Sequence, residues 1–116
     1  MKLNEIMAQA KKLLKSNDFD ENDFIRYITD VDLYVTLNII GNNEFKGYTD
    51  KDINKEVLVP QPYAEVYSYY IQAKEAYLLQ EYDLYNCAMA LYNDLMMKYA
   101  QYYSSTHTTP RIRFNY

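Results

Sequence analysis

Apolar residues recur at Leu3, Ile6, Met7, Ala10, Leu13 and Leu14, with lysines filling the other face. That spacing predicts an amphipathic helix over about 3–15. The polar run "SNDFDEND" ends it and opens the next element. Asp20 is a natural N-cap, with Asp23 three residues later. Phe19 before the cap and Phe24 at the fourth helical position form a hydrophobic-staple pattern. A second helix is therefore expected over about 21–40, with Phe24, Ile28, Val31, Val35 and Ile39 as its apolar stripe. The β-branched residues Ile25, Thr29, Val31, Val35, Thr36, Ile39 and Ile40 pull towards strand, but the periodicity and the start signal outweigh them. Gly41 followed by two asparagines supplies the stop.

Residues 42–62, "NNEFKGYTDKDINKEVLVPQP", lose that periodicity and read as a connection. Val57 to Val59 suit a short extended piece, and Pro60 and Pro62 keep their predecessors out of helix. A connection of about twenty residues is unusual and points to function or to ordering by a partner.

From Tyr63 to Tyr103 the chain has neither glycine nor proline. One helix of that length would run about 60 Å, so a hairpin turning near "LLQEYD" is expected. Tyr63, Tyr70 and Tyr77 step by seven, interleaved with Val66, Tyr67, Ala73 and Lys74. Tyr85, Tyr92 and Tyr99 repeat the step, interleaved with Ala88, Met89, Leu95 and Met96. The phase slips at the join, where Asp83 can cap a helix beginning at Leu84, with Asn86 at its third position. The expected fold is all-α: two N-terminal helices, a long extended connection, and a tyrosine-rich antiparallel hairpin of helices over about 63–80 and 84–103. Residues 1–103 then form one domain. Residues 104–116 read as an extended docking tail, because Arg111, Arg113 and Asn115 alternate with Ile112, Phe114 and Tyr116 and have no partner strand of their own.

A chain of 116 residues supports one domain and one modest core. No run of eighteen apolar residues suggests a membrane span, and the lysine-studded start does not read as a secretory signal. The single Cys87 cannot pair within the chain and fits a reducing compartment. With one cysteine and one histidine, a zinc site of the usual ligands is not expected.

Charge is distributed unevenly. Residues 1–16 carry four lysines against Glu5 (+3), residues 17–56 ten acids against four bases (−6), residues 57–103 five acids against two bases (−3), and the tail two arginines (+2). An acidic body with a short basic end is poorly suited to gripping a phosphate backbone and better suited to an acidic protein surface.

Candidate chemistry is sparse. Asp50, Asp52 and Asn54 have calcium-loop spacing, but Lys55 and Gln61 occupy the positions where glycine and glutamate are needed. The run starting at Asp18 fails likewise at Asp23 and Thr29, so capping explains both better. His107 lacks a positioned carboxylate, and Cys87 lacks a cationic neighbour that would activate it. These residues point away from an enzyme, and no cofactor is expected. The tyrosines lack the basic neighbours of a base-stacking platform, leaving core and partner surface as their roles. Tyr82, Tyr102 and Tyr103 flank the seam and are expected at contacts between subunits.

A "LVP-x-PY" lead into a tyrosine-rich helix, an "EY-x-x-YN" helix start, the "CAMALYN" stretch and a "YY-x-x-TH-x-x-P" end span residues 57–110. This pattern resembles the head–tail connector (adaptor, head-completion) proteins of tailed bacteriophages, although such relatives tend to carry Asn-Gly where this chain has Leu79-Gln80. The resemblance implies a structural virion protein of the neck, assembled in the bacterial host cytoplasm. It implies a homo-oligomeric ring, commonly twelve-fold, between the portal protein and a tail or stopper protein. DNA would pass through its channel without sequence-specific binding. It also implies that the tail, through Arg111, Ile112, Arg113, Phe114 and Tyr116, docks into the portal. A TPR-like hairpin module is the alternative, though no second copy exists at the required period. A tail-assembly chaperone is a further one.

Overall fold

The lysine-backed stripe folds as α1, Leu3–Leu13, burying Leu3, Ile6, Met7 and Ala10. Its first turn is closed by Glu5, whose carboxylate accepts the Lys2 N–H at 2.7 Å. The structure, a computed structural model, describes residues 1–42 and 44–107. α1 stops two residues before the expected end. Lys15 and Ser16 donate their backbone N–H groups to the Glu75 carboxylate, at 3.1 and 2.9 Å, instead of continuing the helical ladder.

The next start signal produces α2, Glu21–Val35. Asp20 accepts from the Asp23 N–H at 2.9 Å, and Asp23 accepts from the Asp20 N–H at 3.1 Å. The Phe19 and Phe24 rings meet edge to face, with centroids 6.1 Å apart. The α-helical part ends at Val35, short of the expected 40, and the chain continues as a wider π-helical turn, Thr36–Ile40. There the Thr36 carbonyl accepts from both Gly41 and Asn42 N–H, while the Thr36 hydroxyl bonds back to the Asp32 carbonyl at 2.7 Å. Gly41, at φ +86°, terminates the element in the left-handed region that glycine tolerates.

The connection is tied to α1 and to the start of the chain. Leu3 and Asn4 donate N–H groups to the Lys55 and Ile53 carbonyls at 3.1 and 2.9 Å. Val57 donates to the Met1 carbonyl at 2.9 Å, and the Met1 ammonium lies 3.0 Å from Glu56. The segment so fixed buries Val57 and Val59. Gly47, at φ +111°, runs against Thr29 so closely that a Cβ there would lie 3.1 Å from the Thr29 methyl. Asp52 accepts from the Thr49 N–H at 2.8 Å and pairs with Lys55 at 3.1 Å, capping the single 3₁₀ turn Asp50–Asp52.

α3, Glu65–Leu78, is the central element and packs against α1, α2 and the last helix, α4, Tyr82–His107. Tyr63 meets Tyr99, Tyr70 meets Tyr92 and Tyr77 meets Tyr85, with centroids 5.7, 5.4 and 5.5 Å apart. The two helices are therefore antiparallel. Between them Gln80 N–H bonds to the Tyr77 carbonyl and Glu81 N–H to the Ala76 carbonyl, the paired bonds of a Schellman turn.

α4 differs from expectation at both ends. It begins at Tyr82 because the Glu81 carbonyl accepts from Tyr85, which places Asp83 in the first turn rather than at the cap. It continues to His107, so residues 104–107 are helical and not part of an extended tail. There the Ser105 and Thr106 hydroxyls bond back to the Tyr102 carbonyl, and the His107 ring stacks on Tyr103 at 3.8 Å. Among the described residues there is no strand, only the isolated bridge between Lys2 and Glu56.

Candidate functional site

The strongest concentration of polar chemistry lies inside the fold. Asp32 occupies the apolar face of α2, between Ile28 and Val35, and is fully buried. Tyr67 from α3 donates to one carboxylate oxygen. Tyr48 donates to the other at 2.5 Å, and the Leu58 N–H reaches that same oxygen at 3.2 Å. The Tyr67 hydroxyl accepts in turn from the Val59 N–H at 2.9 Å. One carboxylate thus joins α2, α3 and both ends of the connection. Burial pushes the Asp32 carboxyl up to about 6, with the three donors opposing it. Burial beside Asp32 likewise pushes the Tyr67 phenol well above its ordinary range.

A second carboxylate plays a similar part. Glu75, nearly buried on α3, accepts the Lys15 and Ser16 N–H groups and the Ser16 hydroxyl. The chain leaving α1 is thereby pinned to α3. Both carboxylates are hydrogen-bonded within the protein and tie its elements together. The sequence carries a signal for both: each acid interrupts an apolar stripe at helical spacing, Asp32 between Ile28 and Val35 and Glu75 four residues after Ile71.

Exposed apolar side chains lie on the outside of α4, among exposed polar ones such as Asp94 and Lys98. Leu84, Cys87 and Leu91 follow one another at helical spacing and, with Leu13, Tyr69 and Ala76, line a groove beside α3. On the opposite flank Tyr34 and Ile39 face Tyr92, Met96, Met97 and Ala100 across a second groove. Leu84, Leu91 and Met97 are 44, 51 and 56 % exposed, and Leu37 and Tyr34 near the second groove are 59 and 48 % exposed. A third exposed group caps the hairpin: Tyr77, Leu78, Leu79 and Tyr82.

The tyrosines expected at subunit contacts fall into two places. Tyr82 sits at the hairpin tip, against Tyr77. Tyr102 packs on Tyr63, and half-buried Tyr103 lies between Tyr99 and His107. Twenty helical residues separate Tyr82 from Tyr102, about 30 Å along the axis, so they lie near opposite ends of α4. Arg111, Ile112, Arg113, Phe114 and Tyr116 lie outside the described residues. Cys87 is exposed on the first groove, and the His107 Nδ1 is engaged by the Thr106 hydroxyl and the Tyr103 carbonyl. Among the described residues, no cluster of three or more metal-ligating side chains occurs, and no helix is long and apolar enough to cross a membrane.

No family model, curated protein or solved structure matches the chain.

Proposed function

We propose that the chain is an assembly subunit, and specifically a head–tail connector of a tailed bacteriophage. It would form an oligomeric ring between the portal and the tail or stopper protein and extend the DNA channel. The observation that carries the assembly reading is the placement of exposed apolar side chains on two opposite flanks of α4, Leu84 and Leu91 on one and Met97, across a groove from exposed Tyr34, on the other. A closed ring needs two different surfaces per subunit, one for each neighbour, and a two-fold dimer needs only one. The sequence resemblance over residues 57–110 supports the narrower reading. The acidic body agrees with a channel along which DNA slides without being held. In this reading Tyr82 contacts one neighbour, Tyr102 and Tyr103 the other, and residues 111–116 dock on the portal.

The test uses the purified chain and its cognate portal. Native mass spectrometry of the chain should show a closed oligomer, and co-sedimentation should recover it with the portal but not after deletion of residues 108–116. A chain that stays monomeric and does not co-sediment removes the connector reading. Absence of the chain from finished particles would point to a chaperone.

A further inference from the structure

The groove formed by Leu13, Tyr69, Ala76, Leu84, Cys87 and Leu91 encloses about 220 Å³ and has an apolar floor. Its rim at the hairpin tip carries Glu81, paired with Lys15 at 3.0 Å, and Asp83 stands beside it on the first turn of α4. The C-terminal sequence PRIRFNY carries the complementary pattern: Ile112, Phe114 and Tyr116 alternate with Arg111 and Arg113. In an extended segment the three apolar side chains project to one side and both arginines to the other. Apolar rings fill the floor while one arginine meets Asp83 and the other competes with Lys15 for Glu81.

The distance back from His107 decides whose segment this can be. α4 rises 1.5 Å per residue, so Leu91 and Leu84 lie about 24 and 35 Å back from His107. Seven extended residues from His107 to Phe114 span at most about 25 Å, before any length is used to reverse direction. Fully extended, Phe114 just reaches Leu91 of its own chain but not Leu84, and Arg113, at most about 22 Å from His107, cannot reach Glu81 or Asp83 of its own chain, about 36 Å or more back. A second molecule has no such limit.

We infer that the groove beside Leu84 and Leu91 receives the C-terminal segment, residues 111–116, of a second copy of this chain. The contact is head to tail. Each subunit offers a tail at one end of α4 and a groove near the other, so the contact propagates from copy to copy until a ring closes. This rests on the groove and the tail, and it holds whether or not the ring belongs to a phage neck. It gives residues 111–116 to a neighbouring subunit in place of the portal, and cross-linking of the chain alone, with no portal present, lets either reading fail by itself.

Cys87 on the groove makes a direct test possible in the full-length chain. Under mild oxidation, Phe114→Cys should cross-link to Cys87 of another molecule and give a ladder of reducible oligomers. Asn115→Cys, on the opposite side of the segment, should give roughly five-fold less. A mixing experiment tests the direction. Phe114→Asp leaves a groove without a usable tail, and Leu91→Arg leaves a tail without a usable groove. Each alone should sediment as a monomer, and the mixture should sediment as a dimer. No ladder, equal cross-linking at positions 114 and 115, a disulfide closed within one chain, or no dimer on mixing would each overturn the assignment.

Discussion

The two halves of this molecule are held together by different means. Around α2, α3 and the connection, the fold turns on buried carboxylates: Asp32 gathers Tyr48, Tyr67 and the Leu58 N–H, and Glu75 gathers Lys15 and Ser16. α4 is attached by rings instead, with three tyrosine pairs along α3 and a further Tyr63–Tyr102 contact. Directional bonds to a buried charge fix one arrangement and penalise every other. Ring-on-ring packing is more tolerant. The anchored half is held by directional bonds, and α4 leaves Leu84, Leu91 and Met97 exposed.

The largest expected effect follows from removing the central anchor. Asp32→Ala would strand two phenol hydroxyls and the Leu58 N–H in the interior. At 1–3 kcal/mol for a stranded buried group, and with some relaxation, it should cost about 4 kcal/mol, read as a shift of the urea midpoint. An Asp32→Ala protein that unfolds like the parent would show that the carboxylate is not what holds α2, α3 and the connection together.

The comparison sharpens with a matched pair of substitutions. Tyr67→Phe deletes a hydroxyl that serves both Asp32 and the Val59 N–H, and should cost about 2 kcal/mol. Tyr92→Phe deletes a hydroxyl from an equally large ring on α4 that takes no protein partner among the described residues, and should stay within about 0.5 kcal/mol. Equal costs would erase the distinction drawn between the halves.

The same anchor predicts a pH dependence of unusual sign. The Asp32 carboxyl is raised from an ordinary 3.8 to about 6. The folded state therefore binds the proton more tightly than the unfolded state, and this contribution grows as pH falls through 6 and is complete below 3.8. Stability should rise by about 1 kcal/mol between pH 7 and pH 5, and the slope should vanish in Asp32→Ala. Asp52 has the opposite sign, because the Thr49 N–H lowers it, but its loss falls below pH 3.8 and outside that window. Urea midpoints at the two pH values check this.

What the sequence made legible follows the range of the interactions. α1, the start of α2 and the stop at Gly41 rest on contacts within a few residues, such as the Asp20–Asp23 box and the Phe19–Phe24 staple. The order of the connection was not legible, because Lys2 pairs with Glu56, fifty-four positions away, and no local pattern encodes that. The role of Asp32 is not legible locally, because an acid within a helix is ordinarily solvated and the donors that justify its burial come from Tyr48 and Tyr67, on other elements. The helical extension to His107 was hidden by Ser-Ser-Thr, a sequence of poor helix formers whose hydroxyls here bond back to the helix. On the surface, the spacing of Leu84, Cys87 and Leu91 was visible. That it is left uncovered depends on where α1 ends.

The smallest expected effect lies at the joint between the two halves. Gln80 completes the Schellman turn after α3 at φ +60°, a left-handed conformation that costs a residue with a Cβ about 1 kcal/mol and glycine almost nothing. Its side chain is exposed and makes no hydrogen bond among the described residues, so replacing it removes strain without removing a contact. Gln80→Gly should therefore stabilise the protein by about 0.5 kcal/mol, the relief of strain being partly offset by the greater freedom of glycine in the unfolded chain. Gln80→Ala, which keeps the Cβ, should give no gain. If α4 is the more loosely held half, the gain should appear in amide exchange of the α4 residues next to the turn before it appears in α2. A uniform gain across all four helices would mean that α4 unfolds only with the anchored scaffold, and that its exposed face is a property of its sequence rather than of a weaker attachment.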